Sequence, residues 1–96
     1  MKPVLIERQS VGCGSPCFVI AEAGSNHNGD LDLARRQIEV AARCGVDAIK
    51  FQVFRASRMY PKSAGTSGYL KSSIAIYDII SAMEMPYEWI PILAEH

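Results

Sequence analysis

Three hydrophilic residues interrupt two otherwise apolar stretches. Glu22 follows Phe18-Val19-Ile20-Ala21, and Lys50 and Gln52 sit within Ala48-Ile49-Lys50-Phe51-Gln52-Val53-Phe54. A carboxylate can take or return a proton, an ammonium can hold an anion, and a carboxamide can orient a hydroxyl or a water. Side chains alternate along a strand, so Lys50 and Gln52 share one side, as do Ile20 and Glu22. If the two stretches are neighbouring parallel strands, the three groups project near their C-terminal ends, where ligands bind in parallel α/β folds. A charge in an apolar strand is costly unless paired or solvated, so a buried Glu22–Lys50 pair that only fixes the core is the competing reading. Gln52 favours function, because a structural pair gains nothing from a third polar neighbour.

A second signal is charge patterning. Lys50, Arg55, Arg58, Lys62 and Lys71 lie in a stretch with no Asp or Glu between Asp47 and Asp78. This reads either as a solvated loop or as an electropositive mouth for a small molecule bearing phosphate or carboxylate. A third signal is Gly24-Ser25-Asn26-His27-Asn28-Gly29, which follows the stretch carrying Glu22. Asn26 and Asn28 suit a turn, since Asn tolerates unusual backbone angles. The dinucleotide pattern Gly-x-Gly-x-x-Gly, a phosphate-binding P-loop, a Ser/His/Asp arrangement and a metal cluster are all missing.

The elements that must position these groups follow from periodicity. Val4 to Ile6, a turn at Gly12 and Gly14, and Phe18 to Ala23 read as strand, turn and strand, an N-terminal β-hairpin. Phe18-Val19-Ile20-Ala21 is continuously apolar, as suits a strand covered on both faces. Asp30 is placed as an N-cap for a helix over Leu31 to Cys44. Leu31, Ala34, Ile38 and Ala41 form its apolar face, with Asp32, Arg35, Arg36, Glu39 and Arg43 opposite. Gly45 supplies the left-handed C-terminal cap. The strand from Ala48 then completes a βαβ unit with parallel strands and a right-handed crossover. After a loop from about Arg55 to Lys71, helices are expected over Ser73 to Met83 and from near Tyr87, with Pro91 in the first turn of the last. The order β-α-β-α makes the class α/β.

Composition narrows the function classes. Ten Lys+Arg balance ten Asp+Glu, which excludes a uniformly basic nucleic-acid binder. At 49% hydrophobic and 21% charged, the chain is of the folded, soluble kind. Its longest apolar runs fall far short of the roughly 20 residues of a membrane span. Glu7 and Arg8 stand where a signal peptide would be apolar, so a cytoplasmic protein is expected. Cys13, Cys17 and Cys44 are odd in number and read as reduced thiols, some of them buried.

Phe18-Val19-Ile20-Ala21-Glu22-Ala23-Gly24-Ser25-Asn26-His27-Asn28-Gly29-Asp30, with Ala48-Ile49-Lys50-Phe51-Gln52 at this spacing, closely resembles the opening of the sialic acid synthase family. That family comprises N-acetylneuraminate synthases and their legionaminic and pseudaminic acid relatives. The intervening helix, Cys44-Gly45-Val46-Asp47 and Ile76-Tyr77-Asp78 also fit, so the resemblance covers nearly the whole chain. It implies a TIM-type (β/α)8 catalytic domain, usually followed by an antifreeze-like domain that covers the partner subunit's site in a homodimer. It implies condensation of phosphoenolpyruvate with N-acetylmannosamine or a similar amino sugar, giving a nine-carbon keto acid and phosphate. A divalent cation, manganese or magnesium, polarises the sugar aldehyde. By the same resemblance Lys50 binds phosphoenolpyruvate, and Glu22 is the catalytic acidic residue beside the reacting carbons. Gln52 orients the sugar or a metal-bound water, and Asn26 and His27 belong to the substrate site mainly by shaping it. Two departures stand out: Ala23 where relatives have Ile, and Lys71 where some have an Asn that holds the sugar.

A barrel domain takes about 250 residues, so residues 1–96 are expected to be its N-terminal fragment, with two barrel strands and their helices. The family's metal-binding histidines are expected beyond residue 96, and the antifreeze-like domain is not in this chain. The chain alone is then expected to be inactive and poorly stable. Two further readings stay open: a non-catalytic truncated product that survives on a partner, and another phosphate-utilising barrel such as a Schiff-base aldolase.

Overall fold

The computed structural model describes residues 2–65 and 75–96. The expected contribution of Lys71 and the expected helix start at Ser73 lie outside the described residues. Among the described residues, two small sheets and four α-helices make an α/β arrangement, as the sequence implies. Strands β1 (Val4–Ile6) and β2 (Gln9–Val11) pair antiparallel, with Val4 opposite Val11 and Ile6 opposite Gln9. The hairpin therefore closes on its own, through a two-residue turn at Glu7-Arg8, rather than using Phe18 to Ala23 as its second strand. Glu7 takes a φ of 54°, which only the first central residue of a tight hairpin turn requires here.

Strand β3 (Ile20–Gly24) pairs in parallel with β4 (Ala48–Phe51), and the crossover between them is helix α1 (Leu31–Arg43). Asp30 caps α1 as expected: its carboxylate accepts from the amides of Asp32 and Leu33. Gly45 follows the helix with a φ of 77°, the left-handed conformation that terminates it. Helix α2 (Ala56–Met59) and a 3-10 turn (Lys62–Ala64) occupy what reads in the sequence as loop. Helices α3 (Ile76–Ala82) and α4 (Trp89–Glu95) complete the chain, with Pro91 in the first turn of α4.

The core sits between α1 and α4. Ala34, Met85 and Leu93 are buried there, with Leu31, Ile38, Phe51 and Trp89 packed around them. This core is small for the apolar content. Val4, Leu5, Ile6, Val19 and Ile20 are all exposed, Leu5 to 69%. The radius of gyration, 17.0 Å, exceeds the roughly 12–13 Å of a compact chain of this length. All three cysteines are free and exposed, so the expectation that some are buried does not hold.

Asp47 ties the hairpin to the parallel pair. Its Oδ2 accepts from the Val19 amide and its Oδ1 from Gln9 Nε2, both at 2.8 Å. These bonds, the backbone one foremost, hold its carboxyl below the ordinary value near 3.8. A lowered folded pKa adds stability that is fully present above the unfolded value and is lost as pH falls through the folded one. In the intact protein Asp47→Asn should therefore lower the melting temperature at neutral pH, and the gap to the parent should close in acid below pH 3.8. Thermal melts across that range check it; a gap that stays constant with pH would refute it.

Candidate functional site

Register places the chemistry. In the β3–β4 pair Glu22 lies directly opposite Lys50, and their side chains meet, Lys50 Nζ donating to Glu22 Oε2 at 2.7 Å. The competing reading of a buried pair does not describe what forms. The two side chains keep 59% and 53% of their surface, so the pair is half solvated and open to a ligand. Such an exposed ion pair contributes at most about 1 kcal/mol to stability. That is too little to be its main purpose.

One residue beyond Glu22 the register slips. Gly24, not Ala23, stands opposite Phe51, so Ala23 is the extra residue of a bulge. Bulges re-aim a strand at the end of its ladder. Gly24 then turns with a φ of 57°, and a Cβ there would lie 3.4 Å from Glu22 Oε1 and 3.9 Å from Asn26 Nδ2. The carboxylate of Glu22 and the amide of Asn26 thus flank a glycine where a Cβ would meet only ordinary contacts, and it is the left-handed φ that disfavours any other residue. Gln52 is exposed just past β4 and joins the site through its backbone amide, which donates to the Gly24 carbonyl at 3.0 Å.

The loop that follows is held from within. The Asn26 amide nitrogens, backbone and side chain, both donate to the Ala23 carbonyl, at 3.1 and 3.0 Å. Gln37 on α1 donates to the Asn26 carbonyl at 2.9 Å. His27 is wholly buried, its Nδ1 accepting from the Gly29 amide at 3.1 Å. Its ring meets Trp89 edge to face, with centroids 5.3 Å apart. Burial pushes its pKa below the ordinary 6.5. The structure thus brings Glu22, Lys50, Asn26 and the Gln52 backbone together around Gly24, and sets His27 beneath them out of solvent.

The cationic stretch is less open than its sequence reads. Arg55 pairs with Glu84 at 3.3 Å and lies 4.0 Å over the Tyr87 ring. Glu84 also accepts from the Ala56 amide at 2.7 Å and so caps α2. Arg55 is a clasp between β4 and the segment before α4, not part of an electropositive mouth. Glu84 escaped sequence reasoning because its partners lie far upstream. An apolar groove of about 640 Å³ lies between α1 and the β3–β4 pair, lined by Ala21, Ala23, Leu33, Val40 and Ile49, with Glu22 and Asn26 also on its wall.

Residues 37–96 match the sequence profile described as the NeuB family. The chain belongs to the NeuB family. Its relatives in this family are sialic, legionaminic and pseudaminic acid synthases, so the resemblance read from Phe18 to Asp30 and Ala48 to Gln52 is borne out. The chain is 47% identical over 86 residues to the spore coat polysaccharide biosynthesis protein SpsE of Bacillus subtilis, covering 88% of this chain and 23% of that protein. It is 41% identical over 81 residues to the N,N'-diacetyllegionaminic acid synthase of Legionella pneumophila, covering 80% of this chain and 23% of that one. The crystal structure of an N-acetylneuraminic acid synthetase from Leptospira borgpetersenii, in complex with citrate, superposes with a TM-score of 0.77 at 31% identity. That match covers 98% of this chain and 30% of the Leptospira chain. This NeuB chain therefore spans about a quarter to a third of the relatives it matches.

Proposed function

We propose that residues 1–96 are the N-terminal part of a sialic-acid-type synthase barrel and carry its phosphoenolpyruvate-binding and acid half. The intact enzyme joins carbon 3 of phosphoenolpyruvate to the aldehyde carbon of N-acetylmannosamine or a related amino sugar. Water enters at carbon 2, phosphate leaves, and a nine-carbon keto acid results. The observation that carries this reading is the half-solvated Glu22–Lys50 pair at the C-terminal ends of two parallel strands. Lys50 holds the anionic substrate by charge. Glu22, at 2.7 Å from Lys50, manages protons at the reacting carbons. Asn26 and Gln52 line the same end and orient the sugar or its water.

A divalent cation, manganese or magnesium, would polarise the sugar aldehyde. Among the described residues no three of His, Cys, Asp and Glu converge to hold one. The resemblance assigns its ligands to paired histidines outside residues 1–96, and nothing in the roles of Glu22 and Lys50 runs through it. Among the described residues β3 and β4 pair only with each other, which supports the barrel reading, since further strands would extend such a sheet. No helix among the described residues is long and apolar enough to cross a membrane. The three unpaired, exposed thiols suit a reducing, cytoplasmic setting. The intact enzyme works as a homodimer.

Alone, the 96-residue chain is inactive and aggregates or stays loosely folded, because its apolar strands expose an edge and a face. A cooperative melt of dilute monomer would contradict this. The same exposure of Val4, Leu5, Ile6, Val19 and Ile20 favours a second reading, a non-catalytic chain that survives on a partner. The reading frame past codon 96 separates the two. Continuation into a barrel with paired histidines, with a nine-carbon acid detected by mass spectrometry, supports the synthase; a stop at that point supports the alternative.

A further inference from the structure

We infer that His27 is a positioning residue of the proposed synthase site, a neutral imidazole with its hydrogen on Nε2, whose Nδ1 fixes the turn that keeps Asn26 beside Glu22. The inference rests on the synthase reading. It begins from the bonding pattern of one side chain. The Gly29 amide donates to His27 Nδ1 at 3.1 Å, and the Asp30 amide donates to the His27 carbonyl at 3.0 Å. Asp30 in turn caps α1. One residue therefore sets both the turn after β3 and the start of the helix that follows.

An Nδ1 that accepts carries no hydrogen, so the neutral ring's hydrogen lies on Nε2. Hydrogen on Nδ1 would set two donors against each other at the Gly29 amide. The turn needs that acceptor, because Asn28 and Gly29 both take left-handed angles, φ 54° and 70°. An Asn or Asp side chain supplies such an i to i+2 acceptor in an ordinary Asx turn, and His27 does so from inside the fold.

Packing alone does not account for the imidazole. His27 has no exposed surface, and its Nε2 has no hydrogen-bond partner among the described residues. A buried donor without an acceptor is unfavourable, so a side chain that only filled this space against Trp89 would do so better as leucine. What leucine lacks is the Nδ1 acceptor. Upstream of it Asn26 Nδ2 and Glu22 Oε1 flank Gly24, so a loosened turn moves the amide away from the carboxylate.

The test uses the intact protein with His27→Leu and His27→Asn, since the asparagine oxygen can replace Nδ1. His27→Leu should lower kcat by up to about 100-fold, as misplacement of a site group does, at temperatures where it is still folded. Its melting temperature should fall by only the few degrees that the lost bond to the Gly29 amide costs. His27→Asn should restore most of the rate, and 15N spectra of the parent imidazole should report the Nε2–H tautomer. Parent-like kcat in His27→Leu, no rescue by asparagine, or an Nδ1–H tautomer would each overturn the inference. If His27→Leu does not fold, the asparagine variant and the spectrum decide. A parent without phosphoenolpyruvate-dependent activity sinks the synthase reading itself, whereas an active parent with an indifferent His27→Leu sinks only the positioning role.

Discussion

Replacing Lys50 with alanine in the intact protein is expected to lower kcat/KM for phosphoenolpyruvate by about 100-fold, the usual effect of removing one preorganised donor to a reacting anion. The expectation follows from placement. Lys50 lies at the end of a parallel strand, opposite Glu22, with more than half its side chain exposed, so its ammonium is available to an incoming anion. The fold should hardly notice the change. An exposed pair contributes at most about 1 kcal/mol, so the melting temperature should move by only a few degrees. Lys50→Arg should recover part of the loss, because it restores charge but offers a planar fork in place of a compact ammonium. Steady-state kinetics with phosphoenolpyruvate varied at saturating amino sugar measures this. An unchanged kcat/KM would remove Lys50 from the site.

Glu22→Gln should act on turnover instead. The substitution keeps the shape and removes the charge and the proton affinity, so kcat should fall by about 100-fold or more, as for a lost acid–base group. The KM for phosphoenolpyruvate should change little, or fall slightly as Lys50 is released from its carboxylate partner. Because the two groups touch at 2.7 Å, the double variant should lose less than the sum of the two single losses. Strict additivity would mean that the pair does not act as a unit. Wild-type rates in both single variants would show the site assignment to be wrong.

How much of this was legible in the sequence depended on distance along the chain. The N-cap at Asp30, the stop at Gly45 and the pairing of Glu22 with Lys50 rest on local periodicity and strand alternation, and they stand where the residues put them. The second hairpin strand did not announce itself, because Gln9-Ser10 is polar and Glu7 gives no hint of a left-handed φ. Helix α2 has only four residues and takes its cap from Glu84, a partner that no local window contains. The same clasp withdrew Arg55 from the cationic mouth. His27 could be seen in its motif but not its burial, since Trp89 reaches it from the far end of the chain. The bulge at Ala23 was equally hidden, although the glycine after it gave a hint.

The half-site of Glu22 and Lys50 gains its meaning only in a complete barrel, and phosphate release is the product that such a barrel cannot form without both substrates. The most direct measurement is therefore phosphate released by the intact protein from phosphoenolpyruvate, with and without N-acetylmannosamine and related amino sugars, in manganese or magnesium. Release that requires an amino sugar and collapses in Lys50→Ala is the expected result. Release that ignores the sugar, or none with any sugar of the panel, would contradict the account.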